Sequence, residues 1–172
     1  ENIFCKYDPV LGWTGIPFLK QNISFPGNQD MEEMKLDLNE HGFWDETHDL
    51  RKKESVRRML FVGDSFTFGY GVSKENRFSN VVKRSLPKNF EIMNMGVLGY
   101  GTDQTYLLLK KIGINYKPDI IVSTLFIDDI LTDNMFTRFE GIYLKPKFSI
   151  NEGLQLELQN SPVPFNRTAS TL

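Results

Sequence analysis

From residue 58 onward, short apolar runs alternate with stretches whose apolar residues recur at helical spacing. RMLFVG (58–63), FEIMNMG (90–96) and DIIVSTLFI (119–127) are too continuously apolar for half-exposed strands and read as strands of a parallel sheet buried on both faces. Between the first two, Ser73 is placed to cap a helix in which Phe78, Val81, Val82 and Ser85 lie along one stretch, with the apolar members on one face, before Pro87 stops it. Between the second and third, Thr102 is placed to cap a helix with Leu107, Leu108 and Ile112 as its buried stripe, and Pro118 closes the connection. Strand, helix, strand, helix, strand is the grammar of an α/β fold.

The flanks read differently. Residues 1–33, rich in Pro, Gly, Asn and aromatics, have no sustained period and predict an extended arm anchored by Trp13, Phe18 and Phe25. MKLDLN (34–39) alternates as a half-buried strand does, EHGFWD breaks it, and LRKKESVRR predicts a solvated connector or short helix. Past residue 141, two alternating runs around Asn151, Glu152 and Gly153 suit a β-hairpin that resembles an insertion or lid. The expected organisation is an arm with a short strand over 1–56, and an α/β domain over 57–172 with a hairpin insertion near 141–158.

Composition narrows the chemistry. A chain of 172 residues suits one domain with its own core. Twenty basic against 22 acidic side chains leave a net charge of -2 without a long basic block, which argues against nucleic acid as a partner. The single cysteine, Cys5, excludes an internal disulfide framework and Cys-rich zinc sites, and reads as a bystander thiol. No apolar run is long enough for a membrane-spanning helix, so the chain as given reads as soluble. Asn22 and Asn166 begin sequons, which matter only in a eukaryotic secretory route.

The stretch MLFVGDSFTFGYG (59–71) places Ser65 just beyond a strand, at the carboxyl edge of the expected sheet, where open α/β folds bind ligands. A phosphate-binding loop needs four residues between its glycines and then Lys. Here five separate Gly63 from Gly69, and Tyr70 stands in the lysine position. The Gly-x-Ser-x-Gly elbow fails as well, because residues 63–67 read Gly-Asp-Ser-Phe-Thr. A plain structural turn remains the competing reading, with Asp64 organising the bend through hydrogen bonds to nearby backbone N–H groups.

The Gly-Asp-Ser tripeptide is not isolated. FVGDSFTFGYGV, NMGVLGYGTDQ and IIVSTLFIDDILTDN, each at the end of an expected strand, together resemble the first three sequence blocks of the SGNH hydrolases, also called the GDSL esterase/lipase family. The resemblance covers roughly residues 57–135, and LDLNEHGFWD resembles the segment preceding the first block in some bacterial members. It implies a three-layer α/β/α sandwich around a parallel sheet, SGNH or flavodoxin-like, incomplete at its carboxyl end. It also implies a serine hydrolase cleaving or transferring acyl esters (an esterase, lipase or carbohydrate O-acyl esterase), needing no metal or cofactor. Ser65 would be the nucleophile, with its own amide and that of Gly99 facing the developing oxyanion. Such donors matter because a serine hydroxyl is a weak nucleophile and each aligned donor is worth about 10² to 10³ in rate. A small-molecule or carbohydrate acyl ester would be the partner, and an extracytoplasmic or secreted location follows from the resemblance alone.

Two departures qualify that implication. Where the family's third block has Asn followed by Asp, this chain has Asp128 and Asp129. Ionised, Asp128 would repel an oxyanion and weaken the hole; protonated through burial or its neighbour, it would still donate. The family's last block, Asp-x-x-His, has no counterpart, because the two histidines, His41 and His48, both precede Ser65. Asp45 and His48 spell Asp-x-x-His in WDETH, so a permuted triad is conceivable on geometry alone. His41 reads as a turn residue, and a base on a segment absent from this sequence, or on another chain, is the simpler account. The competing function is a catalytically inactive module of the same fold whose aromatics (Phe66, Phe68, Tyr70, Tyr100) stack on a glycan or acylated polymer. A third, nucleotide binding, lacks a phosphate loop and a ribose-binding acid.

Overall fold

The computed structural model describes residues 4–24, 33–127, 129, 135–138 and 143–165. At its centre is a three-stranded parallel sheet in the order β6-β5-β7, built from β5 (Arg57–Gly63), β6 (Phe90–Gly96) and β7 (Ile120–Ser123). Register runs Arg57 opposite Phe90 through Gly63 opposite Gly96, and Met59 opposite Ile120 through Val62 opposite Ser123. All three strands therefore deliver their following loops to one edge. The third strand stops at Ser123, shorter than its apolar run predicts, and its last tie to β5 is Thr124 N–H to Val62 O at 3.0 Å.

Side chains alternate across the sheet, so consecutive residues of β5 build different layers. Leu60 and Val62, with Met93 and Met95 from β6, face the helix α3 (Thr102–Lys111) and pack with Leu107, Leu108 and Tyr116. Phe61 faces the other way and meets Phe78 of the helix α2 (Phe78–Ser85) edge-on at 5.2 Å. Helices thus lie on both faces, the three-layer α/β/α arrangement. The α2 layer is thinly covered: Phe78 and Val81 remain 38% and 43% exposed, as a sheet three strands wide offers little surface to bury them. Beyond β5, Ile120 and Ile121 of β7 are also exposed along an open strand edge.

Both helix starts differ from expectation. A 3₁₀ turn (Lys74–Asn76) separates Ser73 from α2, and Thr102 lies inside the first turn of α3 instead of capping it. At α3 the capping is done by Gln104, whose Oε1 accepts the Gly101 N–H at 3.3 Å.

The residues before the sheet form two pairs of short antiparallel strands, three of the strands where no period was legible and the fourth on the alternating stretch that begins at residue 34. β1 (Cys5–Asp8) pairs with β2 (Gly12–Gly15), and β3 (Lys20–Ser24) with β4 (Glu33–Asp37). Leu11 and Trp13 enter the α3-side core. Ile23, Met34, Leu36, Leu38 and Trp44 form a second cluster that closes over Phe68 and Leu98. Of the expected anchors, Trp13 is buried, Phe18 is 69% exposed, and Phe25 lies outside the described residues. Phe18 has a left-handed backbone (φ 59).

The charged connector contains no helix, and its last arginine is a core residue. Arg58 is buried and donates to Glu91, to the carbonyls of Leu50 and Asp49, and to Tyr116 O at 2.7 Å. Toward the carboxyl end, β8 (Thr137–Arg138) pairs with β9 (Tyr143–Leu144), and β10 (Lys147–Ile150) with β11 (Leu156–Gln159). Lys145, fully buried, reaches from this tail to Asp103 at the start of α3. Among the described residues no helix is long and apolar enough to cross a membrane.

Candidate active site

Three loops leave the carboxyl edge of the sheet side by side. The first begins at Asp64, whose carboxylate accepts the Phe66 N–H at 2.9 Å and so starts the one-turn helix α1 (Ser65–Phe68). Ser65 is the first residue of that turn and is half-buried. Among the described residues no side-chain hydrogen bond engages its hydroxyl.

The turn is held from beneath by a polar residue inside an apolar strand. Asn94 of β6 is buried and donates to Thr67 O at 2.7 Å and to Ser79 Oγ at 2.8 Å, while its Oδ1 accepts the Gly96 N–H at 2.9 Å. Gly96 is needed for close approach: a Cβ there would lie 2.6 Å from the Thr67 carbonyl carbon. Arg77, also buried, sits behind the turn, its guanidinium 4.6 Å from the Trp44 ring centre and bonded to the carbonyls of Trp44 and Phe68. Burial lowers its pKa. Sequence reasoning missed both supports. The available signal was an asparagine within EIMNMG, since a polar group in a buried strand must find partners.

The second loop, 97–101, is tied to the first by Val97 N donating to Gly63 O at 3.0 Å. Gly99 has φ 73, a left-handed conformation that strains any residue bearing a side chain. Trp13 bonds to the residues on either side of it. The third loop begins at Thr124, whose N–H donates to Val62 O at 3.0 Å and whose hydroxyl meets that of Thr67. Asp128 lies outside the described residues. Its neighbour Asp129 is buried and accepts the Phe126 N–H at 3.3 Å. Phe126 stacks obliquely on Phe66, 4.9 Å between centroids, and Phe66 and Tyr70 remain 62% and 48% exposed.

The structure thus brings the loops of Ser65 and Gly99 to the same sheet edge, and it brings no histidine there. His48 is buried on the outer side of β6, with Nδ1 on Glu91 at 2.9 Å and Nε2 on Asp45 at 3.2 Å. Asp45 also accepts the Asn94 N–H at 2.7 Å, closing part of an otherwise unpaired strand edge. Burial works against charge on His48, and the bonds and charges of Asp45 and Glu91 outweigh it, so its pKa is raised. His41 lies in a turn, as expected, where Asn39 Oδ1 accepts its N–H at 3.0 Å, and its ring stands edge-on to Tyr116. Both rings belong to the scaffold, so WDETH does not form a permuted triad with Ser65. Among the described residues no group of His, Cys, Asp and Glu could hold a metal ion.

No protein-family model matches the chain, and no curated protein matches it. Solved structures similar to it include AlinE4, described as an SGNH-hydrolase family esterase, at 29% identity and a TM-score of 0.37, covering 47% of this chain and 45% of that one. A mutant of the same esterase gives 28% identity and a TM-score of 0.38, covering 48% and 46%. These neighbours are SGNH-hydrolase esterases. The match spans less than half the length of either esterase chain.

Proposed function

We propose that this chain is the nucleophile-bearing part of a serine hydrolase of the SGNH type, cleaving or transferring acyl esters. The reading rests on one observation above the others. Ser65, in the Gly-Asp-Ser block, starts a rigidly braced turn at the carboxyl edge of a parallel sheet, beside the loop that carries Gly99 in a left-handed conformation.

In this reading Ser65 Oγ adds to the ester carbonyl carbon as its proton passes to a base. The carbonyl oxygen becomes an oxyanion held by the amides of Ser65 and Gly99. Collapse breaks the bond to the alcohol, which leaves with the proton, and the acyl-serine is then cleaved by water or by an acceptor hydroxyl. Asp128 stands in the sequence position of the family's asparagine and, while ionised, would repel the oxyanion and weaken the hole. His48 is held between Glu91 and Asp45 and His41 stands against Tyr116, so in this reading neither of them is the base. The substrate is a small-molecule or carbohydrate acyl ester.

A second reading is supported by the exposed Phe66 and Tyr70 and by the Phe66–Phe126 ring pair: a module of the same fold that binds a glycan or acylated polymer without reaction. A fluorophosphonate probe applied to the intact native protein separates the two. Hydrolysis predicts labelling that Ser65→Ala abolishes and Asp128→Asn accelerates. A folded, intact protein that takes no label overturns the hydrolase reading in favour of the binding module.

A further inference from the structure

The residues on either side of Gly99 are both bonded to one residue of the amino-terminal arm, 85 and 87 positions away in sequence. Trp13 Nε1 donates to Leu98 O at 3.0 Å, and Tyr100 Oη donates to Trp13 O at 2.6 Å. The two rings meet edge-on at 5.6 Å, and each is buried, Trp13 at 2% and Tyr100 at 0% exposure. Gln104, also fully buried, extends the tie: its Nε2 donates to Leu11 O at 2.7 Å and its Oε1 accepts the Gly101 N–H. Complete burial raises the Tyr100 pKa well above 10, so the phenol stays protonated and keeps its donor role across the working pH range.

A short loop with a left-handed glycine has no helix or strand ladder to hold it. Its one internal backbone bond is Tyr100 N to Val97 O at 3.3 Å. The arm supplies what the loop lacks. We infer that Trp13 is a positioning residue for acyl transfer: by gripping Leu98 and Tyr100 together it fixes the backbone between them, and so the amide of Gly99 that is to meet the oxyanion. The inference rests on the hydrolase reading of Ser65. Preorganised donors stabilise a transition state because they need no reorganisation as charge develops, and misplacement of about 1 Å costs up to about 10² in rate.

The test replaces the indole N–H and leaves its shape. In the intact native protein, benzothienylalanine at position 13 puts sulfur where the donor was, while 5-fluorotryptophan keeps the N–H. Two quantities are read: the saturating rate of Ser65 labelling by a fluorophosphonate, with its half-saturating concentration, and hydrogen exchange of the 97–101 amides against those of β5 and β6. The sulfur analogue is expected to slow labelling about 10- to 100-fold at unchanged half-saturation. It should also speed exchange in 97–101 while the strands stay protected; the fluoro analogue should do neither. Tyr100→Phe, which removes the second bond, should act in the same direction. Unchanged exchange in the loop overturns the clamp, and faster exchange with unchanged labelling overturns the positioning role. Failure of the parent protein to label at all overturns the hydrolase reading and the positioning role with it. In that case the exchange data still report whether Trp13 restrains the loop.

Discussion

At the amino end of the parallel sheet and along the outer side of β6, ionisable groups answer one another. Arg58 meets Glu91, Glu91 meets His48, His48 meets Asp45, and Lys52 meets Asp119 at 2.7 Å. At the carboxyl end, the loops that carry Ser65 and Gly99 are fixed mainly by neutral donors and acceptors from Asn94, Trp13 and Tyr100, and the two charged groups there, the capping carboxylate of Asp64 and the guanidinium of Arg77, bond to backbone and not to each other. The first region contains a histidine between two carboxylates, the constellation a chemist would search for beside a serine. The second contains the serine. The contrast teaches that a histidine–carboxylate pair is catalytic only where its free nitrogen faces a substrate. Here both ring nitrogens are spent holding the arm to the strand edge, which is a structural use of the same chemistry.

The most disruptive way to test this contrast is Arg58→Met. It removes the cation from Glu91, leaving that carboxylate to His48 alone, and strips the carbonyls of Asp49 and Tyr116 of donors inside the fold. Breaking a buried pair from one side costs about 3–5 kcal/mol. Urea unfolding should show a loss of that size, and a loss under 1 kcal/mol would mean that the amino-end network is ornamental to stability.

His48→Gln comes next, with an expected loss of about 1.5–3 kcal/mol for bonds to charged partners. The sign of its pH dependence follows from linkage. His48 has a raised pKa in the fold, so its contribution is complete below its ordinary value of 6.5 and fades as pH rises through the raised one. Glu91 behaves in the opposite sense. Burial resists its charge, and the bonds from Arg58 and His48 prevail and lower its pKa, so its contribution is present above the ordinary 4.5 and fades as pH falls through the lowered value. Wild-type stability should therefore decline on the alkaline side of 6.5, and His48→Gln should flatten that decline. The same variant should leave the labelling rate of Ser65 unchanged, and a loss of labelling would collapse the distinction between the two ends.

The smallest effect concerns Cys5, the first residue of β1 in the arm. Burial pushes its thiol up to about 12, so at pH 8 the nucleophilic thiolate is scarce. A thiol reagent should modify the native protein far more slowly than the urea-unfolded chain. Equal rates would show that the arm opens freely, which the Trp13 and Tyr100 bonds argue against.

How far the chain could be read in advance varied with the source of the order. FEIMNMG became β6 over the same residues, because a strand buried on both faces is written in consecutive apolar positions. Asp64 capping the turn that starts at Ser65 was legible too, since an aspartate reaching a following N–H is a local interaction. Asn94, Arg77 and Trp13 were not recognised as supports of the candidate site, because their partners lie far away in sequence and no local pattern encodes them.

The alternation of apolar runs and helical spacings by itself determined that this chain builds a parallel sheet flanked by helices, because burying those faces satisfies strand and helix periods together. It also determined where the serine falls, since a glycine-ended strand delivers the next residues to the sheet edge. Only the tertiary structure decided that WDETH is a brace and that the charged connector ends in a core arginine. It also decided that the periodless arm grips the Gly99 loop. A side chain's role depends on what occupies the few ångströms around it, and those neighbours are assembled only when the layers pack.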